Sequence, residues 1–224
     1  VFIFFKRCFM EFENGFTIAD FDDEAEKQKP KKHKYQELFD WMETIIIALV
    51  SVVVIFSLFF RLAVIVGPSM QNTLYENEKV IITNFLYKPK YGDIVVVSRN
   101  SGNSVDGIAT SREPIIKRVI ATGGQYVDID FESGKVYVGD DLSNMTELDE
   151  PYVNGPTLLQ GDVEFPVYVK EGYVFVLGDN RNNSTDSRSS SIGEEGLIDE
   201  RYILGKAIYR VWPFKSIGGL ENNE

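Results

Sequence analysis

Three short stretches of the chain hold side chains whose types and spacing could do chemistry. Gly67-Pro68-Ser69-Met70 is a Gly-Pro turn that ends in a serine hydroxyl, with Leu74 shortly beyond it. Taken alone, a Ser after Pro is ordinary turn chemistry. In Ile115-Ile116-Lys117-Arg118-Val119-Ile120, strand alternation puts Lys117 on one face with Ile115 and Val119. Desolvation disfavours an ammonium and can free a neutral amine to act as a base, whereas a Lys near a strand edge can equally snorkel to water. The third stretch runs from Gly178 to Arg188, GDNRNNSTDSR, directly after the apolar run Tyr173–Leu177. It is dense in side chains that bond backbone groups, and Asp186 and Arg188 are close enough to pair, which suits a rigid loop supporting a site.

Which of these groups can meet depends on the elements that position them. The chain has 224 residues, 44% hydrophobic and 25% charged, enough for one domain of ordinary size plus an anchor. Trp41 to Phe60 reads WMETIIIALVSVVVIFSLFF and is uncharged from Thr44 to Phe60, with Arg61 at its end. With Glu43 and Arg61 snorkelling, this suffices for a bilayer core of roughly 30 Å. A secretory signal has an apolar region of only about 7 to 15 residues ending in small ones, whereas this run continues into Arg-Leu-Ala-Val-Ile-Val. The segment therefore reads as a retained transmembrane helix. Lys27, Lys29, Lys31, Lys32 and Lys34 precede it, so the positive-inside rule places the N-terminus in the cytoplasm and everything after Arg61 outside. The first nine residues, VFIFFKRCF, do not suit a cytoplasmic tail, and Met10 opens an acidic stretch. Met10 is thus the expected start, and residues 10–36 the expected disordered tail.

After the anchor the pattern changes to short β-branched and aromatic runs separated by Gly, Asn, Asp and Pro. Strands are expected over Lys79–Thr83, Asp93–Ser98, Ile115–Ala121, Tyr126–Asp130, Lys135–Val138, Val167–Val169 and Tyr173–Leu177. Glu132-Ser133-Gly134-Lys135 reads as a hairpin turn, and Tyr91-Gly92-Asp93 as a turn before a strand. The fold class is all-β, mainly antiparallel, behind one N-terminal transmembrane helix. Residues 1–36 form the tail, 37–66 the anchor and its flanks, 67–219 the extracytoplasmic domain, and 220–224 a short end.

Elimination narrows the chemistry. A net charge of −11 argues against a nucleic-acid partner. One Cys, Cys8, and one His, His33, offer neither an internal disulfide nor a credible metal site, so no cofactor is expected. His33 and Cys8 fall on the cytoplasmic side of the anchor and Ser69 on the other, which excludes a Ser-His-Asp triad and a Cys nucleophile by topology. What remains for an activated Ser is a Lys base, a known variant of the triad logic.

In order, the anchor is followed by Gly-Pro-Ser-Met-x-x-Thr-Leu (67–74), Tyr-Gly-Asp-Ile-Val-Val-Val (91–97), Ile-Lys-Arg-Val-Ile (116–120) and Gly-Asp-Asn-Arg-Asn-Asn-Ser-Thr-Asp-Ser-Arg (178–188). This series resembles the successive motifs of bacterial type I signal peptidase. The resemblance implies a β-rich catalytic fold in which Ser69 matches the nucleophile and Lys117 the general base. Ser184 matches a serine that orients that amine, Asp186 with Arg188 a supporting salt bridge, and Asp179 a further supporting group. It also implies cleavage of signal peptides from exported preproteins after small-x-small sequences, at the lipid of a bacterial cell membrane and close to the secretion translocon. Met70, Leu74, Ile115 and Ile116 flank the pair and are the expected walls of the substrate pockets. The short link from Arg61 to Ser69 should keep the site near the membrane surface.

The sequence departs from the family pattern at several places: Asn72 stands where Pro is usual, Ala121-Thr122-Gly123-Gly124 replaces a Gly- and Pro-containing turn, and Ser189–Gly193 a shorter aromatic-Gly ending. Gly67 falls where some members carry a Ser whose hydroxyl helps bind the oxyanion. A self-cleaving repressor-type peptidase shares the Ser/Lys logic but lacks an anchor. An inactive anchored homologue would share the fold but has no need of Ser69, Lys117 and Ser184 together.

Overall fold

The computed structural model describes residues 34–98 and 114–220. The expected start at Met10, nearly all of the expected tail, Cys8, His33 and the lysines at 27, 29, 31 and 32 lie outside the described residues. The chain divides into two compact units, Val1–Val52 and Val53–Glu224.

Helix α1 spans Lys34–Phe59, and within it the 23-residue stretch Glu37–Phe59 contains an 18-residue window of mean hydropathy 2.5. At about 1.5 Å per residue this is long and apolar enough to cross a bilayer. The hydroxyls of Thr44, Ser51 and Ser57 donate to the carbonyls of Asp40, Ile47 and Val53 at 2.9, 2.7 and 2.7 Å, so each hydroxyl in the run is satisfied within the helix.

The second unit is built of antiparallel strands. They are β1 (Phe60–Val64), β2 (Lys79–Thr83), β3 (Ile94–Val97), β4 (Ile115–Thr122), β5 (Tyr126–Asp130), β6 (Lys135–Gly139), β7 (Thr146–Glu147), β8 (Val167–Tyr168), β9 (Tyr173–Leu177), β10 (Ile198–Asp199), β11 (Ile203–Trp212) and β12 (Gly218–Gly219). The larger sheet runs β1-β2-β11-β3-β4-β9-β10, with β12 added to β11, and the smaller runs β7-β6-β5-β8. The all-β, mainly antiparallel class read from the sequence is the architecture found, and the seven expected strands all appear, within a residue of the expected ends.

Two expected boundaries move. Residues 60–64, read as a flank of the anchor, form edge strand β1, pairing with β2 from Phe60↔Thr83 to Val64↔Lys79. At the other end Leu220 is buried and its amide donates to the Ile208 carbonyl, so it closes the core rather than opening a tail. Strand β11 lies between β2 and β3 and has no counterpart among the expected strands. Its inward side is Ile203, Gly205 and Ala207, and the two small residues hide the alternation. Gly205 is required there, because a Cβ would stand 2.7 Å from the Thr83 carbonyl oxygen. The hairpin turn between β5 and β6 forms as read, with Gly134 at φ +74°.

Three apolar clusters make the core of this unit, and two of them sandwich the strands that carry the chemistry. One gathers Ile65, Met70, Leu74, Val80, Ile82, Ile94, Val96 and Ile116. Another gathers Val95, Val97, Val119, Val174 and Val176 from β3, β4 and β9.

Candidate active site

Ser69 sits in the connection between β1 and β2. Both ends of that connection are tied together, because the Ile65 amide donates to the Glu78 carbonyl and the Asn77 amide to the Ile65 carbonyl, each at 2.9 Å. Between these bonds the chain makes tight turns, with Gln71 N donating to Pro68 O and Leu74 N to Met70 O. Met70 and Leu74 plug the turn into the core from beneath. They are 1% and 0% exposed, and Ile116 only 9%. These three, expected from the sequence to wall the substrate pockets, lie beneath the turn with little open surface. They serve as the floor that fixes the turn. Ile115 is half-buried and keeps some open surface.

Lys117 is the third residue of β4, which lies between β3 and β9. Its side chain is 3% exposed. The Lys117 Nζ donates to Ser69 Oγ at 2.8 Å and to the Ile116 carbonyl at 3.0 Å. The structure thus brings together a hydroxyl and an amine 48 residues apart in sequence.

The polar loop after β9 folds over this pair, and its charged residues are buried. Asp186 accepts from Arg188 Nε at 2.8 Å and Nη2 at 2.9 Å, and from the Gly178 amide at 3.0 Å. Asp179 accepts from Arg118 Nε at 2.8 Å and Nη2 at 2.6 Å, and also bonds the Thr73 hydroxyl. The Arg118 Nη1 donates to the Gly92 carbonyl, which fixes the turn before β3 that the sequence signalled. The loop also grips the nucleophile turn through its backbone, because the Asn180 amide donates to Ser69 O at 3.0 Å and its side-chain amide to Pro68 O at 3.1 Å. Gly178 lets these layers close: a Cβ there would stand 2.2 Å from Ser184 Oγ and 2.5 Å from Ser69 O.

The Ser184 hydroxyl is therefore at the site, buried against Gly178, but it makes no hydrogen bond among the described residues, to Lys117 or to any other group. A buried hydroxyl without a partner is uncommon in folded proteins and tends to mark a place where something else completes the bonding. Gly67 has φ +81°, in the left-handed region that a serine side chain resists, so the turn geometry itself favours glycine at the position where some relatives of this motif pattern carry Ser.

Several residues at the site had no role assigned from sequence. Arg118 and Thr73 lay inside quoted motifs, and only the three-dimensional pairing with Asp179 reveals their use. Arg181, Glu150, Tyr152 and Thr157 form a second buried network. Arg181 donates to Glu150 at 2.8 and 2.5 Å and to the Thr157 hydroxyl at 3.0 Å. Burial pulls the Arg181 guanidinium down, but the hydrogen bonds and charge of Glu150 outweigh it and leave it above its ordinary value. Burial, followed by the Glu150 charge, raises the Tyr152 phenol. No sequence signal marks Glu150 or Tyr152, which lie in the long connection from β7 to β8.

Comparison with known proteins gives a consistent picture. A family model described as "Signal peptidase, peptidase S26" matches residues 38–212. A "Signal peptidase I" of Bacillus amyloliquefaciens is 32% identical over 206 residues, covering 85% of this chain and 96% of its own. The "Signal peptidase I T" of Bacillus subtilis (strain 168) is 31% identical over 201 residues, covering 85% and 93%. A crystal structure of a signal peptidase I from Enterococcus faecalis V583 overlaps 54% of this chain and 97% of its own, at 24% identity and a TM-score of 0.38, which is too loose a likeness to add to the argument.

Proposed function

The chain belongs to the signal peptidase family, peptidase S26, and from that premise we propose that Ser69 and Lys117 are the nucleophile and general base with which it cleaves signal peptides from exported preproteins. It is a serine endopeptidase acting on signal peptides, in keeping with its family and with relatives named signal peptidase I. The observation that carries the residue assignment is the 2.8 Å contact between Lys117 Nζ and Ser69 Oγ, made by an amine that is only 3% exposed.

With the amine neutral, the same two atoms exchange roles, and the Ser69 proton passes to Lys117 Nζ as Oγ attacks the scissile carbonyl carbon. The resulting oxyanion needs donors, and the Ser69 amide is the nearest candidate. Collapse of the tetrahedral intermediate breaks the C–N bond, and Lys117 returns the proton to the leaving amine. An acyl-enzyme on Ser69 Oγ remains. Lys117 then takes a proton from water, whose oxygen attacks the ester, and the proton returns to Ser69 Oγ as the carboxyl product leaves. In this proposal Asp179, Asp186 and Arg188 keep the loop rigid, and the Ser184 hydroxyl, buried beside Gly178, orients the amine.

The active unit lies outside the cytoplasm in this proposal, supported by the lysines before the apolar helix. Exposed Leu62, Val64 and Val66, which follow the span directly, favour work at a lipid surface near the secretion translocon. Cleavage follows small-x-small sequences, consistent with a site backed by a full core rather than a deep cavity. Protease added outside intact spheroplasts should digest residues after Arg61 and spare those before Trp41, and protection of the later residues would reverse the orientation. A preprotein with Trp before the scissile bond should resist cleavage; normal processing of it would refute the specificity. Detergent-solubilised wild type compared with Ser69→Ala on a preprotein tests the assignment itself. Cleavage by the variant would end it.

A further inference from the structure

The connection between β7 and β8 lies along the outside of the catalytic loop. The Leu158 amide donates to Asn182 Oδ1, and the Asn182 side-chain amide to Pro156 O. The Arg188 Nη1 donates to Leu159 O, the amides of Asp162 and Val163 both donate to Arg188 O, and Ser190 bonds Asp162. At the head of this segment Glu150 receives the Arg181 fork, and Tyr152 touches two networks at once. Its hydroxyl donates to Glu150 at 2.9 Å, and its ring lies 3.8 Å from the Arg118 guanidinium carbon. Arg118 follows Lys117 in the chain and holds Asp179, while Arg181 donates through Nε to the Gly178 carbonyl.

We propose that residues 149–163 form a strap whose Glu150 and Tyr152 are positioning residues for the Ser69–Lys117 pair, acting through Arg181 and Arg118 on the loop that carries Asp179 and Ser184. The inference rests on the Ser69/Lys117 reading above. A connection whose only task was to join two strands could cover the loop with apolar side chains, which usually stabilise a buried site as well as an ion pair does. The paired guanidinium and carboxylate instead fix direction and distance, since a planar fork accepts little displacement. Tyr152 transmits that position to Arg118 by stacking on its face. Loosening the strap frees Asn180, whose amide bonds Ser69 O, and frees the Arg118–Asp179 tie next to Lys117. A displacement of about 1 Å between nucleophile and base can cost on the order of a hundredfold in rate without touching either residue.

The test uses the full chain in detergent with a preprotein substrate. Glu150→Gln keeps size and removes charge, Tyr152→Leu removes the stack and the hydroxyl, and Tyr152→Phe removes the hydroxyl alone. Glu150→Gln and Tyr152→Leu are expected to lower kcat about tenfold or more with KM within about twofold. Their rising limb of kcat/KM should move to higher pH, because water reaching Lys117 solvates the charged amine that the strap otherwise shields. Tyr152→Phe should lose only about threefold, because the ring over Arg118 remains. The exchanged pair Glu150→Arg/Arg181→Glu should recover part of what either single change loses. Wild-type kcat and pH profile in Glu150→Gln and Tyr152→Leu would overturn the proposal. So would a loss that merely follows the folded fraction, measured by thermal unfolding, with the pH limb unmoved. If Glu150→Gln does not fold, the Tyr152 variants decide. Ser69→Ala runs alongside: cleavage by it would end the dyad reading, whereas a dead Ser69→Ala beside an unaffected Glu150→Gln would remove the strap alone.

Discussion

The inward residues of strands β3, β4 and β9 and the charged residues of the loop from Gly178 to Arg188 are alike shielded from water, but opposite chemistry takes them there. In the strands burial follows from side chains such as Val95, Val119, Val174 and Val176, whose transfer from water is favourable wherever they pack. In the loop Asp179, Arg181, Asp186 and Arg188 are buried, and each is tolerable only because specific donors and acceptors meet it. The first kind of burial is forgiving of shape. The second fixes geometry, and it surrounds the one amine–hydroxyl contact that the chemistry needs.

The sharpest way to separate the two regions is to remove the reacting atoms. Ser69→Ala and Lys117→Ala should each abolish measurable cleavage, and the double variant should be hardly worse, because residues acting as a unit do not add. Thermal unfolding should show Ser69→Ala about as stable as wild type, so that its loss of cleavage reflects chemistry rather than folding. Significant cleavage by either single variant would break the mechanism. In the wild type kcat/KM should rise with pH with a slope near one, through a limb between the ordinary histidine and lysine values of about 6.5 and 10.4. The direction follows from the mechanism: only the neutral amine can take the Ser69 proton, so cleavage rises as the amine loses its charge. Lys117→His, if active, should move the limb toward acid. A limb already near 6.5 in the wild type would exclude Lys117.

Next in size is the cost of breaking a buried pair. Asp186→Ala strips Arg188 of its carboxylate and leaves the Gly178 amide without an acceptor, and should cost about 3–5 kcal/mol. Ile120→Val, at a fully buried position on β4, should cost only about 0.5–1.5 kcal/mol. Replacing both Asp186 and Arg188 by apolar residues should not restore stability. Arg188 also donates to the carbonyls of Leu159 and Arg181, and Asp186 accepts two amides, so the backbone partners would be stranded. Denaturant midpoints for the three variants check the order; an Asp186→Ala no worse than Ile120→Val would erase the distinction between the regions.

The same distinction governs what could be read from the sequence. The runs at 79–83, 126–130 and 173–177 announce themselves by β-branched and aromatic residues, and their bounds were legible to the residue. Strand β11 was not, because Gly205 and Ala207 occupy inward positions where a hydrophobic pattern looks for bulk. The motifs around Ser69, Lys117 and Ser184 point to a site through resemblance, but not to which neighbours face it. Met70 and Leu74 sit one and five residues from Ser69 and turn into the core, while Tyr152 and Glu150, far along the chain, come to the site. Ser184 shows a finer limit. Its place beside Gly178 follows the motif, yet its hydroxyl makes no bond to the amine it was expected to orient. Proximity is legible in a motif; a hydrogen bond depends on rotamer and tenths of an ångström.

The smallest effect is expected where an ion pair of the same length lies outside both regions. Lys135 Nζ stands 2.9 Å from Glu147 on the small sheet, close to the 2.8 Å of Arg188 and Asp186, but the side chains are 49% and 47% exposed rather than 4% and 0%. Distance alone would rank the two pairs together. Exposure does not, because water and salt already solvate the separated charges, and holding two long side chains in one geometry costs entropy. The hydrogen bond that Lys135 donates to Glu147 does raise the amine above its ordinary value, so the contact exists; it simply has little to add to folding. Lys135→Gln should leave the denaturant midpoint, the cleavage rate and the pH limb where they are, and raising the salt should not separate variant from wild type. A drop in midpoint comparable to that of Asp186→Ala would show that geometry, rather than burial, sets the worth of a charge pair in this protein.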